Sequence, residues 1–442
     1  MKQLIASLFI LFVASSSIFA QAWIDPVLKQ RIITQSTEKI SVIVLLKESD
    51  TSSRSAKQSR SNLADSSLDI ISRAGIQTTR LSKESILWSV NGLHLILNWE
   101  EILNLSRIKE IKSIIYDQEV SLALPIIQPT DENTSSITWG LEMIGASKVW
   151  NELKLTGKNV KVGVLDTGYS DHPALKGKIA GSKNFIWGQG AGPNDGHGHG
   201  THCAGTIGGL PVNGKTIGVA PGVNFMIGRI FNNKGKGSLS LMLKGMQWMA
   251  DPDENPDTND FPAVVSNSWG VPWANPKKVE PLLRAVQTWR AIGIVPLFAA
   301  GNNGPNAHTI LKPAAFNESL TVGATDSKDR IARFSSRGPG NYLGISSDKP
   351  DLSAPGASVY SSDLHGKYSY KSGTSMATPH VAGVIALMLE ANPGLSVDEI
   401  QEILKSSSLD LGDAGYDYQF GWGRVNAYKA ALGALQSLNT QN

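Results

Sequence analysis

The sequence predicts an α/β protein with a doubly wound, mostly parallel sheet, preceded by a small α+β unit. Three observations support this prediction. Beyond Trp139, near-continuous apolar strands alternate with helical segments, which is the pattern of parallel strands covered by helices on both faces. Residues 41–116 instead mix short strand-like and helix-like segments. Between Pro125 and Ser136 the chain is polar and has too little apolar surface to fold by itself, which indicates a linker.

The N-terminal residues 1–22 are typical of an export signal. Lys2 supplies a positive start, an apolar stretch runs from Leu4 to Ala14, and Ala20-Gln21-Ala22 provides small residues for cleavage. The alternative is a membrane anchor, but this stretch is shorter than the roughly 20 apolar residues that a spanning helix needs. We therefore expect an exported protein, extracellular or periplasmic, with no membrane span in its mature form.

Residues 23–122 are predicted to form the small α+β unit, and residues 123–138 a linker and processing region. The predicted strands and helices of the small unit are strands over 41–46, 85–91, 93–97 and 112–116, with helices over 56–74 and 99–105.

Residues 139–435 are predicted to form the large α/β domain. Its predicted elements are strands over 160–165, 224–231, 263–267 and 294–300, with helices over 238–250, 279–291 and 375–391. In such folds, functional sites gather beyond the carboxyl ends of the strands.

Composition excludes several classes of partner. The 442-residue chain is 41% hydrophobic and 18% charged, as soluble globular proteins are. Its formal net charge is +3 and its basic residues form no extended run, so nucleic acid is not an expected partner. Cys203 is the only cysteine in the sequence, so no internal disulfide can form.

The first segment with chemical potential is Asp166-Thr167-Gly168, which directly follows a predicted strand. An aspartate at this position can simply cap a turn. An aspartic protease would need two such carboxylates, and this motif occurs once.

The second segment is His197-Gly198-His199-Gly200-Thr201-His202, with three histidines within six residues. A zinc site is the competing interpretation, but no His-Glu-x-x-His spacing or nearby cysteine pair completes it. A base hydrogen-bonded to Asp166 is the favoured use of one histidine.

The third segment, Gly373-Thr374-Ser375-Met376-Ala377, places a serine at the start of a long apolar helix. Such a serine can be only an N-cap. An α/β-hydrolase would place the serine before its acid and histidine, whereas the order here is Asp, His, Ser.

Together these segments resemble the subtilisin-like (subtilase) serine peptidase family, over nearly all of residues 139–430. The resemblance implies a catalytic triad of Asp166, His199 and Ser375. It also implies that Asn302, within Ala299-Ala300-Gly301-Asn302-Asn303-Gly304, donates to the oxyanion. Because the base must be unprotonated, activity is expected to rise through about pH 6 to 8.

The same resemblance implies a peptide-binding cleft with two backbone walls. These walls are Gly235, Lys236 and Gly237 on one side and Ser268, Trp269 and Gly270 on the other. Recognition by strand addition favours broad specificity. No acidic residue lies near 311–315, where the family's primary pocket wall is expected, so apolar or aromatic residues are expected before the cut.

By the same resemblance, residues 23–122 are a ferredoxin-like, inhibitor-like propeptide, and the processing cut falls between Val120 and Ser136. The expected partners are protein and peptide substrates and the chain's own propeptide, acting as an intramolecular inhibitor on a monomer. The chemistry requires no cofactor. Structural calcium is an expectation without an assigned site, because the loop over 210–216, where many members of the family bind calcium, offers few oxygen ligands here.

The sequence therefore predicts a secreted serine endopeptidase that cleaves through an acyl-enzyme and matures from a precursor. Two alternatives stay open at this point. One is a catalytically inactive relative that serves as a binding or inhibitory module, and the other is an esterase with the same triad.

Overall fold

The computed structural model describes residues 22–34, 38–48, 56–122, 126–127, 135–186, 188 and 192–440. The chain divides into two compact units, Met1–Tyr116 and Asp117–Asn442. Nearly all of the predicted export signal and most of the predicted processing region lie outside the described residues. Among the described residues, no helix has both the length and the apolar character needed to cross a bilayer.

The described residues of the first unit form a five-stranded sheet and three α-helices. Its strands, in the spatial order β1-β5-β2-β4-β3, are β1 (Trp23–Ile24), β2 (Ile40–Leu46), β3 (Ile86–Leu87), β4 (Gly92–Leu97) and β5 (Ile111–Tyr116). Its helices are α1 (Pro26–Thr34), α2 (Ala56–Arg73) and α3 (Trp99–Ser106).

The apolar strand β2 lies at the centre of this sheet and pairs antiparallel with both β4 and β5. Its β-branched and leucine side chains are almost all buried, as expected for a central strand. Helix α3 begins with a capping box, in which Asn98 and Glu101 each bond the other's backbone N–H at 2.9 Å. The α+β character predicted for this region is thus observed.

The second unit is built on a seven-stranded sheet in which every neighbouring pair is parallel. Its strands, in the spatial order β17-β14-β13-β12-β8-β10-β9, are β8 (Lys161–Asp166), β9 (Ile179–Asn184), β10 (Asn224–Arg229), β12 (Val264–Asn267), β13 (Val295–Ala299), β14 (Leu320–Thr325) and β17 (Leu352–Pro355). The helices are α4 (Trp139–Met143), α5 (Ala146–Lys148), α6 (His199–Gly208), α7 (Leu239–Ala250), α8 (Pro276–Ala291), α9 (Thr374–Ala391), α10 (Val397–Ser407) and α11 (Ala427–Thr440).

Short strands complete the second unit. They form the antiparallel pair β6 (Glu119–Ser121) with β11 (Lys236–Ser238), the hairpin β15 (Gly340–Tyr342) with β16 (Ile345–Ser347), and the three-stranded β18 (Val359–Ser362), β19 (Tyr368–Ser372) and β7 (Ile126–Ile127).

The strand order reverses at β8. The chain adds β10 and β9 on one side of β8 and the strands from β12 to β17 on the other. In a doubly wound sheet, the crevice beside such a switch point opens at the carboxyl ends of the strands. This places the end of β8 at the natural position for a site, and the predicted doubly wound α/β class is confirmed.

Helix α9 runs through the core of this unit. Every one of its residues except Glu390 is buried, which explains why its apolar residues surround the helix instead of following one stripe. It packs against α6, α11 and the central strands. The serine at its start is therefore held by a rigid, fully packed element.

A buried ammonium group joins two strands at the edge of the sheet farthest from β9. Lys349, only 2% exposed, places Nζ 2.7 Å from Asp351 Oδ2 and 2.5 Å from the carbonyl oxygen of Ser319. The same carboxylate oxygen accepts the backbone N–H of Thr321 at 2.7 Å. Lys349 therefore connects β14 to the segment that leads into β17.

We expect Lys349→Met to lower the free energy of unfolding by about 3–5 kcal/mol, because it leaves a carboxylate that is only 13% exposed and a carbonyl without their cation. Thermal and denaturant unfolding in a Ser375→Ala background, which excludes self-digestion, measures this. The exposed Lys328→Met is the matched control and should change stability by less than about 0.5 kcal/mol. Equal stability of the two variants would contradict the expected contribution of Lys349.

Candidate active site

Asp166 is the last residue of β8 and is fully buried. Its Oδ1 accepts the backbone N–H of Thr167 at 2.8 Å, which turns the carboxylate back over the end of the strand. The sequence therefore delivers a carboxylate to the switch point of the sheet because an apolar, β-branched strand ends in an aspartate.

His199 is the first residue of α6 and faces this carboxylate. Its Nδ1 lies 2.7 Å from Asp166 Oδ1 and 2.9 Å from Oδ2. The helix comes this close because residue 200 is glycine: a Cβ there would lie 2.3 Å from the carbonyl oxygen of Gly168. Gly200 is thus required by the close approach of α6 to the turn that follows β8.

The start of α6 is held by two charged side chains that the sequence-based reasoning did not single out. Asp195 accepts the backbone N–H groups of His197 and Gly198 at 2.8 Å and that of Thr201 at 3.0 Å. Lys371, on β19, donates to the carbonyl oxygen of Gly198 at 2.8 Å. An aspartate four residues before a helix-opening histidine was the available sequence signal for the first contact, whereas the second depends on the tertiary fold.

Ser375 is the second residue of α9. Its hydroxyl donates to the carbonyl oxygen of Ser268 at 3.2 Å. The Nε2 of His199 is buried and has no hydrogen-bond partner in the described part of the chain. The Asp–His contact of the predicted triad is thus made in this structure, and the Ser–His contact is not. Catalytic hydrogen bonds of this kind often form only when substrate is bound.

Asn302 lies beside the start of α9 with its carboxamide oriented. Its Oδ1 accepts from the backbone N–H of Thr374 at 2.9 Å and from the Thr374 hydroxyl at 3.0 Å. These two bonds direct Nδ2, the donor end, away from Thr374. A donor held in advance is what the stabilisation of a developing oxyanion requires.

We expect Asn302→Asp to lower kcat by about 100- to 1000-fold with little change in KM. Aspartate keeps the oxygen that accepts from Thr374 but replaces the N–H donor with an acceptor. Steady-state kinetics on a peptide substrate measure the two constants, and the exposed neighbour variant Asn303→Ala is the control. A change in KM alone would contradict this role for Asn302.

The surroundings of the site shift the pKa values of its histidines in opposite directions. Burial favours neutral His199, but the adjacent Asp166 carboxylate outweighs burial and raises the pKa of His199 well above its ordinary value. Burial and the Lys371 charge lower the pKa of His202 well below its ordinary value, and its Nε2 lies 3.1 Å from the carbonyl oxygen of Val359. Burial also lowers the pKa of His197, whose ring lies edge-on to that of His199 at 6.2 Å.

The zinc interpretation is not supported by this arrangement, because the three histidines do not converge. His202 faces backbone oxygens. At this site, among the described residues, the group that brings ligand-type atoms within 4.8 Å of one another is Asp166, His199 and Cys203. Within that group, His199 Nδ1 already bonds both carboxylate oxygens of Asp166. Cys203 is buried, with Sγ 3.4 Å from the carbonyl oxygen of Ser375.

One predicted wall of the cleft already carries a paired strand. In β11, Lys236 and Gly237 pair antiparallel with Ser121 and Val120 of β6. Gly235 extends this wall, since its carbonyl oxygen accepts the backbone N–H of Leu122 at 2.8 Å.

The opposite predicted wall lies against Ser375. The Ser268 hydroxyl donates to the carbonyl oxygen of Ser375 at 2.9 Å, and the Trp269 indole donates to that of Leu165 at 3.1 Å. Gly270 packs against Leu311. These contacts leave the wall close to the end of β8 and to the start of α9.

The loop over 210–216 is a tight turn in which Val212 and Lys215 exchange backbone hydrogen bonds of 3.0 and 3.1 Å. A second acidic group, Asp251, Asp253 and Asp260, brings carboxylate oxygens within 4.8 Å of one another. Within that loop, the backbone N–H of Asp253 donates to Asp260 at 3.1 Å. Structural calcium stays a prediction without an assigned site.

A buried carboxylate–imidazole pair, a serine at a helix start and an oriented amide donor meet at the carboxyl edge of a parallel sheet. This combination defines the class of serine hydrolases with an Asp-His-Ser order. A model described as the subtilase family matches residues 157–423. The chain belongs to the subtilase family, and it is a serine endopeptidase.

Three relatives illustrate the extent of the similarity. Serine protease AprX of Bacillus subtilis (strain 168) is 37% identical over 309 residues, covering 64% of this chain and 69% of the relative. Subtilisin DY of Bacillus licheniformis is 36% identical over 299 residues, covering 67% and 99%. Bacillopeptidase F of Bacillus subtilis (strain 168) is 32% identical over 413 residues, covering 85% of this chain but 28% of the relative.

Proposed function

We propose that the chain is exported and matures by cutting itself, and that Asp166, His199 and Ser375 carry out its peptide-bond hydrolysis. The observation that carries the catalytic assignment is the buried Asp166–His199 pair, made at 2.7 Å, beside a serine on a rigid helix. Asn302 serves as the oxyanion donor.

In the proposed reaction, the Ser375 hydroxyl turns from Ser268 to His199 and attacks the peptide carbonyl carbon, while His199 Nε2 takes its proton. The oxyanion accepts hydrogen bonds from Asn302 Nδ2 and the Ser375 backbone N–H. Collapse breaks the C–N bond, and His199 gives the proton to the leaving amine. Water then repeats the sequence on the acyl-enzyme and releases the acid.

Substrates are proposed to bind as an added strand along Lys236–Ser238. The pairing of Glu119–Ser121 with this strand supports the proposal, because it has the geometry that a bound peptide would need. Main-chain pairing accepts many sequences, so broad specificity with an apolar preference is expected. An esterase that acts on small soluble esters would have no peptide strand to pair with Lys236–Ser238.

The segment that follows Tyr116 is proposed to be the inhibitory end of the propeptide. Asp117 accepts from the Ser240 backbone N–H at 2.8 Å and from its hydroxyl at 2.7 Å, at the start of α7, where a negative charge is favourable. Residues 119–122 then occupy the wall where a substrate strand would pair. In this state the chain would compete with its own substrates, as a monomer.

The same contacts indicate where the chain is cut. A Cβ built at Gly235 would lie 3.5 Å from Leu122 Cβ and 3.4 Å from His197 Nε2, so Leu122 and His197 lie close to each other. The ring of His197 in turn lies edge-on to the ring of His199. One strand residue spans about 3.3 Å. We expect the cut within two residues beyond Leu122, in the first part of the window from Val120 to Ser136.

N-terminal sequencing of the mature protein tests this maturation. A first residue of Ala123, Leu124 or Pro125 is the expected result, and a first residue beyond Ser136 would contradict it. Matched peptide and ester substrates test the activity: the endopeptidase cleaves internal peptide bonds and casein, whereas an esterase would cleave only the soluble esters. Recovery of the mature form from the medium or periplasm tests export.

A further inference from the structure

Leu311 lies between the two segments that would hold the residue before the scissile bond. Its backbone N–H donates to the carbonyl oxygen of Ala300 at 3.0 Å, next to the oxyanion segment. The following residue, Lys312, exchanges backbone hydrogen bonds with Val271 at 2.8 and 3.1 Å, next to the wall that ends at Gly270. The leucine side chain is 8% exposed and therefore faces inward.

The space between these two segments is filled by this one side chain. A Cβ built at Gly270 would lie 2.7 Å from Leu311 Cβ and 3.2 Å from its Cδ1. A Cβ built at Gly301 would lie 2.7 Å from Leu311 Cγ and 2.9 Å from its Cδ1. Both walls are glycine where they meet the leucine, and the leucine occupies the room that the missing side chains leave.

This space borders the reacting carbonyl. Gly301 directly precedes Asn302, whose Nδ2 would bind the oxyanion, and Gly270 follows Ser268, whose carbonyl accepts the Ser375 hydroxyl. The side chain of the residue that carries the attacked carbonyl is bonded to the adjacent Cα. It must therefore enter the space between Gly270 and Gly301.

We infer that Leu311 occupies the primary specificity pocket and restricts the residue before the cut to a small side chain, alanine above all. This inference rests on the proposed assignment of Ser375 and Asn302. It narrows the expected residue before the cut from any apolar or aromatic residue to a small one, because an aromatic ring would need the volume that the isobutyl group of Leu311 occupies. The restriction acts by exclusion, which is a common basis of specificity.

The chain's own sequence agrees with this restriction. The bonds within two residues beyond Leu122 are Leu122–Ala123, Ala123–Leu124 and Leu124–Pro125, and Ala123 is the small residue among those that precede them. The inference thus selects the Ala123–Leu124 bond for self-processing. Residues 123–125 lie outside the described residues, so this choice depends on the sequence and on the pocket.

Fluorogenic peptides that differ only in Ala, Leu or Phe before the scissile bond test the inference, with the full-length precursor expressed and allowed to mature. We expect the wild-type kcat/KM for Ala to exceed that for Phe by at least about 10-fold, the scale on which extra methylene groups are discriminated. Leu311→Ala should raise the Phe value, and the ratio of the Phe value to the Ala value, by about 10-fold or more. Leu311→Gly should raise the Phe value further.

The matched control is Leu320→Ala, which truncates an equally apolar, fully buried leucine on β14 and should leave the Phe/Ala ratio unchanged. Titration with a sulfonyl fluoride counts competent sites in each preparation. A wild type that prefers Phe, or a Leu311→Ala enzyme that titrates fully with an unchanged ratio, would overturn the inference. If both Leu311 variants misfold, the wild-type ratio and that of Leu311→Val decide it.

Absence of both cleavage and titration in the wild type would instead contradict the proposed function. A cleaving enzyme with the wrong preference would contradict only the role of Leu311. The two failures are therefore distinguishable in one set of measurements.

Discussion

Ser375→Ala should lower kcat by about 10⁶-fold and leave the precursor uncut. The substitution removes the nucleophile, while Asn302 and the peptide walls keep a residual acceleration of about 10³- to 10⁴-fold over water. The side chain lies at the start of a helix that is otherwise packed, so losing one hydroxyl should leave the fold intact.

Casein digestion and the mobility of the precursor on a denaturing gel, with wild type beside the variant, measure this effect. The matched control is Ser353→Ala, which removes another buried hydroxyl, 3.2 Å from the carbonyl oxygen of Gly423, outside the site. That control should mature and digest casein normally. A Ser375→Ala protein that still shortens itself would contradict the assigned nucleophile, and an inert wild type would favour a binding or inhibitory module.

Asp166→Asn should lower kcat by about 10⁴-fold and move the acid limb of the pH profile to lower pH. The first effect follows because asparagine no longer holds His199 in the tautomer that leaves Nε2 free to accept a proton. The second follows from charge, since Asp166 raises the pKa of His199 well above the ordinary 6.5. Removing that charge lowers the pKa, so the inactive imidazolium then forms only in stronger acid.

For the wild type, the raised pKa of His199 predicts the position of the acid limb of the pH profile. His199 is active when neutral, so kcat/KM should rise with pH through a midpoint above 6.5 and fall as pH drops through it. Profiles of kcat/KM for wild type, Asp166→Asn and the surface control Asp326→Asn measure the three midpoints. A wild-type midpoint below 6.5, or an unchanged midpoint in Asp166→Asn, would contradict the coupling of the two groups.

The sequence was sufficient for the elements that carry the strongest local signals. Strand β8 is apolar and β-branched and ends in Asp166, and α9 follows Ser375 with a mostly apolar sequence, so the sequence predicts both within a residue or two. The residues that meet at the carboxyl edge were predicted because each lies at the end or start of such an element.

The remaining features depend on tertiary contacts. Strand β9 is a mostly polar edge strand, and β17 is a four-residue strand that contains serine and proline, so neither shows a period that indicates a strand. The bond from Ser375 to Ser268 is a choice of side-chain rotamer. Likewise, 311–315 was recognised as a pocket wall, but only the distances from Leu311 to Gly270 and Gly301 indicate that the pocket is filled.

The contact of Lys349 with Asp351, which connects β14 to the segment that leads into β17, differs from a metal-ion site in how it responds to the surroundings. A contact that depends on a bound ion is stabilised by an amount that grows with the logarithm of the ratio of the free ion concentration to the dissociation constant, so dilution or a chelator weakens it. Here the cation is covalently part of the chain, and its link to Asp351 has no dissociation constant. Dilution or a chelator therefore cannot remove this cation, which would suit the export proposed for this protein.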